Sequence, residues 1–226
     1  MSLFNRAAVQ CPNCGTEQTV DLVVSINADR RPDLRQQILD RAFQGPTCSA
    51  CGASFRMPPR FTYLDFARRQ WILAHSGEDL PKWSELEAEA AEVFATNYGP
   101  GTPPAAQQIG REISPRIVFG WPALREKLVL RELGLDDVEF ELMKMAVIRN
   151  VPGSPLTDET ELRLVRGEGD TLVLAWIERA TETPGKSLRV PRQVYDEVAA
   201  DGEAWAPLRA ELAGHSFVDV NRLLVS

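Results

Sequence analysis

The four cysteines of the chain fall into two pairs of one spacing, Cys11-Pro12-Asn13-Cys14-Gly15 and Cys48-Ser49-Ala50-Cys51-Gly52. A C-x-x-C turn presents two sulfurs from one tight loop, and two such turns supply four soft ligands for a tetrahedral metal. Pro12 presets φ in the first turn, and a glycine after each second cysteine accepts the left-handed backbone that closes such a loop. Cys11, Cys14, Cys48 and Cys51 are therefore the candidate ligands of one structural Zn2+. A redox centre in the Cys11–Cys14 stretch would leave the second pair unexplained. Inert core thiols would seldom recur twice at i, i+3 with glycine following. Four sulfurs close the coordination sphere, so the expected ion holds the fold together and has no open position for activating water.

Residues 15 to 47 separate the two pairs, a longer stretch than the ~15–20 usual in such motifs. A strand and a helix fill it. "TVDLVVSIN" alternates, placing Val20, Leu22, Val24 and Ile26 on one face. "RPDLRQQILDRAFQG" starts a helix at Pro32, repeats Leu34, Ile38 and Ala42 at i+4, and ends at Gly45. Closing a longer loop costs little extra entropy, so such an insertion is compatible with a shared site.

Other residues could in principle do chemistry. "ATETPGKS", residues 180–187, fits a permissive phosphate-loop pattern. Its mechanism needs a helix N-terminus after Lys186 and Ser187, and "SLRVP" reads as a strand, so a polar hairpin loop is expected. Arg56, Arg60, Arg68 and Arg69 interleave with Phe55, Phe61, Tyr63, Phe66 and Trp71. This segment, 55–71, could track phosphates and stack bases, or could be a buried strand with solvated arginines. His75 and His215 have no nucleophile near them in sequence, and Asp136 and Asp137 read as helix-capping acids. No serine elbow, dinucleotide fingerprint or zinc-protease motif occurs, so no catalytic residue is assigned.

The elements that must position these groups follow from pattern. "ASFRM" predicts a short strand stopped by Pro58-Pro59. "RFTYLDFARRQWILAH" is apolar enough for burial, with strand alternation in its first half. "SELEAEAAEVFATNYG" predicts a helix with a Ser84–Glu87 capping box and Gly99 at its end. "GPGTPPAAQQ" is the clearest linker. "RIVFG" predicts a strand, then "WPALREKLVLRELG" and "DDVEFELMKMAVIRN" a helical hairpin joined at Gly134, with Asp136 and Glu139 as a capping pair. "VPGSP", residues 151–155, marks a boundary. Beyond it, "ELRLVRGEGDTLVLAWIER" predicts a β-hairpin turning at Gly167 to Asp170, and "SLRVP" a third strand. "RQVYDEVAAD" and "WAPLRAELAG" predict short helices, and "FVDVNRLLV" a strand closing the sheet.

The expected class is α+β: a zinc-ribbon-like lobe with a following helix over 1–98, a strand and helical hairpin over 109–150 packed on it, and an α+β region over 155–226. The 226 residues support a sizeable core. The start shows no signal-like apolar run, and no stretch approaches the ~20 apolar residues of a membrane span. A cytoplasmic location, where thiols stay reduced, is the expectation. Net charge is −7, divided unevenly: residues 1–75 hold nine Lys/Arg against six Asp/Glu, and the remainder 16 against 26. Four thiolates around one Zn2+ would leave the first segment near neutrality, a weak footprint for nucleic acid.

Taken in order, "CPNCG", "SIN" with its proline-started helix, "CSACG" and "TYLDFARRQWIL" resemble the CpXC family of bacterial and archaeal proteins. "RIVFGWPALREKLVLRELGLDDVEFELMKM" resembles the portion that follows in longer members, so the likeness spans roughly residues 9–150. The second pair lacks the family's proline, and Leu64 stands where a histidine is expected. The resemblance implies a zinc-binding domain and no particular reaction. The resulting expectation is a non-enzymatic interaction or scaffolding protein with a protein partner. The alternative is a nucleic-acid-binding ribbon using segment 55–71.

Overall fold

The computed structural model describes residues 2–151, 157 and 159–223. Five strands form one sheet in the order β1-β2-β3-β4-β5. They are β1 Leu3–Gln10, β2 Glu17–Asn27, β3 Phe61–Asp65, β4 Gln70–His75 and β5 Ser114–Phe119. β1/β2 and β3/β4 are antiparallel, while β2/β3 and β4/β5 are parallel. A second, antiparallel sheet has the order β6-β7-β8, from Thr160–Glu168, Thr171–Glu178 and Pro184–Pro191. The α+β expectation holds.

Helices cover both faces of the first sheet. Helix α1 (Pro32–Leu39) and α4 (Gly120–Glu132) cover one face, and α2 (Trp83–Tyr98) and α3 (Pro104–Glu112) the other. Alternation sorts the side chains. Phe61, Tyr63, Ile72, Ala74 and Val118 join Leu34, Ile38, Trp121, Leu124 and Leu128 in one core. Trp71, Ile117 and Phe119 join Leu80, Ala90 and Phe217 in another. The ambiguous segment after Arg60 is thus a hairpin, β3–β4, buried on both faces. A third core lies between the second sheet and helices α5 (Asp137–Asn150), α6 (Arg192–Ala200) and α7 (Ala206–Ala213).

Several expectations are corrected. In β2, Val23 and Ile26 are buried while Val24 is 41% exposed. Phe4 pairs with Val23 and Leu3 with Ser25, so Val24 is the extra residue of a bulge, which switches the inward face at that point. Helix α1 stops at Leu39, not Gly45, because Arg41 and Gln44 adopt positive φ. That turn exposes Ala42 and drives Phe43 edge-on against Phe61 and Trp121. "ASFRM" forms no strand: only a bridge between Thr47 and Ser54 remains, since Pro58-Pro59 and the second cysteine turn leave no room for a ladder.

Ser84 lies inside α2 and caps nothing. The start is set upstream, where the Ser76 hydroxyl accepts from Glu78 N in a 3-10 helix, Gly77–Lys82, that runs into α2. The linker is shorter than expected because α3 begins at Pro104, whose missing N–H suits a first helical turn. Asp136 does cap α5, accepting from Val138 N and Glu139 N, but Glu139 turns away to a bidentate pair with Arg209 at 2.7 and 2.9 Å. Over its described residues "FVDVNRLLV" closes no sheet; Val220–Leu223 is a 3-10 helix tied to the core by Glu141 at Val220 N and, just before it, by the Arg163–Asp219 pair. The expected hairpin of β6 and β7 and both short C-terminal helices are present. Of the boundary at 151–155, residues 152–155 lie outside the described residues.

Candidate metal centre

The first cysteine pair occupies the turn between β1 and β2, and the second a loop after α1. Strand β2 and helix α1 leave the first turn and return the chain to the second, as the spacing required. The two turns repeat one hydrogen-bond pattern. Cys11 N donates to Thr16 O and Gly15 N to Cys11 O, each at 2.9 Å. Cys48 N donates to Ala53 O at 2.8 Å and Gly52 N to Cys48 O at 2.9 Å. Gly15 and Gly52 both sit at φ +73°, the conformation their sequence position anticipates.

All four sulfurs lie within 4.8 Å of one another. Cys11 Sγ is 3.8 Å from Cys51 Sγ, and Cys14 Sγ is 3.7 Å from Cys48 Sγ, each contact crossing between the turns. A tetrahedron with metal–sulfur bonds of about 2.3 Å has edges of about 3.8 Å, so the donor set fits a tetrahedral ion. A disulfide needs about 2.05 Å, and all four cysteines are free thiols. Among the described residues this is the one group of three or more His, Cys, Asp and Glu side chains placed to share an ion.

The surroundings divide the sulfurs into two kinds. Cys11 and Cys48 are buried, Cys14 and Cys51 exposed. Burial pushes the Cys11 thiol up to about 11, against the N–H groups of Cys14 and Asn13, which bond its sulfur and favour the thiolate. Asn13 Nδ2 donates to Cys51 Sγ over 3.5 Å and leads the hydrogen bonds that bring that thiol down to about 6. The Thr16 hydroxyl, 3.3 Å from Cys14 Sγ, lowers Cys14. Gln18 Oε1 accepts from Ser49 N at 3.1 Å and braces the second turn against β2. The C-x-x-C spacing identifies the sulfurs; only the fold reveals the roles of Asn13, Thr16 and Gln18.

The remaining candidates are placed as follows. Phe61, Tyr63 and Trp71 are core residues, so they offer no stacking surface to a nucleic acid. Arg60 pairs with Asp79 at 2.9 Å and Arg68 with Asp65 at 3.2 Å, while Arg69 turns the β3–β4 hairpin at φ +53°. Leu64 lies on the opposite sheet face from Tyr63, half-buried against the α2 side. His75 stacks on Phe119, and burial lowers its pKa. His215 Nδ1 lies 3.0 Å from Glu87 Oε2. Asp137 binds Arg116 and Lys127, whose charges outweigh its burial and hold its carboxyl far below the usual range. Lys186 and Ser187 lie within β8, which runs on to Pro191 before α6 begins, so no helix N-terminus directly follows them. No described helix is long and apolar enough to cross a membrane.

Comparison with curated proteins finds no match, and comparison with solved structures finds none either. The family model described as CpXC protein matches residues 9–144, which include both cysteine turns, the first sheet from β2 onward and helix α4. With more than half the chain matched, and the paired C-x-x-C turns converging on one point, the chain belongs to the CpXC protein family.

Proposed function

We propose that the protein binds one structural Zn2+ through Cys11, Cys14, Cys48 and Cys51 and works as a non-enzymatic interaction or scaffolding protein in the cytoplasm. The observation behind the metal reading is the cluster of four sulfurs within 4.8 Å, reached by two turns of matching hydrogen-bond pattern. Thiolate-only ligation favours zinc over harder ions and leaves no position for substrate. Zinc would pin the β1–β2 hairpin to the loop after α1, giving the ribbon-like arm a fixed shape. That arm is where a partner would dock: Leu3 is 52% and Phe4 41% exposed on the edge strand β1, beside Val24. Edge strands with exposed apolar side chains invite pairing by another chain.

Elemental analysis of the purified, untagged chain should give one equivalent of zinc, lost in a Cys11→Ser/Cys48→Ser variant. Another metal at full occupancy, or oxidised sulfurs without metal, defeats the zinc reading. A Leu3→Asp/Phe4→Asp variant should keep its zinc and lose the proteins that co-purify with the wild type. Unchanged co-purification defeats the docking reading while leaving the metal untouched.

A further inference from the structure

Between the first sheet and the second lies a cleft of about 1040 Å3. Its floor holds Arg56 and Arg125, set against Trp121 and the N-terminus of α4. Arg125 is 8% exposed, and its Nη1 has no hydrogen-bond partner among the described residues. Arg56 lies with its guanidinium 4.4 Å from the centre of the Trp121 ring, and its Nε and Nη2 are likewise buried without a partner. Buried guanidinium donors are costly to leave unbonded, so this concentration of them is a chemical signature.

Among the described residues, one acid faces these donors. Glu182, in the β7–β8 loop, reaches in from outside the family-matched region and accepts from Trp121 N at 3.2 Å through Oε1. Helix α4 has no side-chain N-cap of its own, so at Trp121 N the carboxylate meets the positive end of a 13-residue helix. Gly120, at φ +82°, opens that helix, and a Cβ there would stand 3.8 Å from Glu182 Oε1. Yet the fit to the arginines is poor. Glu182 Oε2 is 4.0 Å from Arg56 Nη1 and 3.8 Å from Arg125 Nη2, beyond hydrogen-bonding reach. Glu182 also sits at φ +54°, an unfavourable backbone for a non-glycine residue.

The other acids lining the cleft do not serve these donors. Glu78, Glu159 and Glu178 are exposed at its edge, and the buried Glu161 is held by Arg163 at 2.7 Å and Arg179 at 3.3 Å. Arg41, exposed at the rim, adds further positive charge. Burial first, and then Arg56, push the Arg125 guanidinium down to about 10, the condition of a cation short of a counter-ion.

We propose that this cleft binds a tetrahedral oxyanion, free phosphate or the phosphate of a small phosphomonoester, on Arg56, Arg125 and the N-terminus of α4, with Glu182 as its intramolecular competitor. A planar carboxylate offers two oxygens, one already committed to Trp121 N. A phosphate offers three or four, spread in directions that reach both guanidiniums and the helix amides together. The cavity exceeds the size of the anion, leaving room for an organic substituent. The loop that resembles a phosphate-binding motif in sequence thus contributes the group that phosphate must displace. This site is independent of the cysteine cluster and of the partner reading.

The test is calorimetric titration of the full chain with inorganic phosphate and, separately, with glycerol 3-phosphate. Glu182→Gln keeps an acceptor for Trp121 N and removes the competing charge, so it should bind roughly tenfold tighter than wild type. Arg56→Gln, at a position with a 22% exposed side chain, should retain the fold and lose binding. Tighter binding of the ester identifies a phosphomonoester as the ligand; equal binding identifies free phosphate. Absence of saturable binding in Glu182→Gln overturns the proposal. Binding that persists unchanged in Arg56→Gln also overturns it.

Discussion

At the scale of single residues, the knuckle glycines show how far local sequence reaches. Gly15 and Gly52 sit at φ +73° with nothing within 4 Å of where a Cβ would stand, so the demand for glycine is conformational and not steric. Gly52→Ala should therefore lower stability by about 1–2 kcal/mol without displacing a neighbour, read as a shift of the urea midpoint at constant m-value. A cost near zero would mean that the turn tolerates another backbone conformation. The cysteine pairs and their glycines were legible because the chemistry of a tight sulfur-bearing turn is contained within five consecutive residues. Thr16 meets Cys14 within the first turn, whereas the bond from Asn13 to Cys51 depends on how the two turns face each other.

At the scale of elements, local signals suffice where they are complete and mislead where a distant segment finishes the job. Glu87 is the example. Its spacing from Ser84 suggested a capping box, but its carboxylate binds the C-terminal segment, accepting from Ser216 N at 2.6 Å and Phe217 N at 2.7 Å through Oε1. It thereby ties α2 to the strip of chain that pairs with β5 through Ser216 O and Ile117 N at 3.0 Å. Glu87→Ala would strand two backbone donors and release His215. A loss of about 2–4 kcal/mol follows, with faster amide exchange at Ser216 and Phe217 as the specific sign. If exchange there were unaffected, the clamp would have no energetic role.

At the scale of the whole molecule, a buried ionic network joins the family-matched region to the remainder of the chain. Lys144 lies 3.0 Å from Glu126 and 2.8 Å from Glu141, and Arg163 binds Glu126, Glu161 and Asp219 at 2.9, 2.7 and 2.6 Å. Glu141 also accepts from Val220 N at 2.8 Å, anchoring the terminal 3-10 helix. Burial raises the Glu141 carboxyl from 4.5 to about 7; Asp219 and Glu126 add to this, while Lys144 and Lys127 oppose it. An acid whose pKa is raised by folding takes up a proton on folding between those two values. Its contribution to stability is therefore most favourable at the acid end of that window and declines as pH rises from about 5 to 8. Below that window Glu141 is protonated in both states and its contribution stays constant. Glu126 and Asp219 are held low because the charges of Lys144 and Arg163 outweigh their burial, and their contribution is lost as pH falls through the acid range. Urea midpoints measured across pH 5 to 8 should fall toward high pH, and Glu141→Gln should flatten that slope. A slope of the same size in the variant would assign it to another group.

The sequence by itself determined the sulfur chemistry, the family resemblance, the α+β class and most helices and strands. Apart from the resemblance, which rests on the order of segments along the chain, each of these rests on neighbours within one turn, one strand or one helical repeat. Only the tertiary structure decided that Val24 lies in a bulge, that Phe43 fills the space between Phe61 and Trp121, and that Arg125, Glu126 and Lys127 face inward. A run such as "REK" on a helix is indistinguishable from a solvated face until its counter-charges arrive, here Arg163 for Glu126 and Asp137 for Lys127. The physical reason is that burial of a charge is set by partners tens of residues away, whereas the conformation of a tight turn is set by the residues that form it.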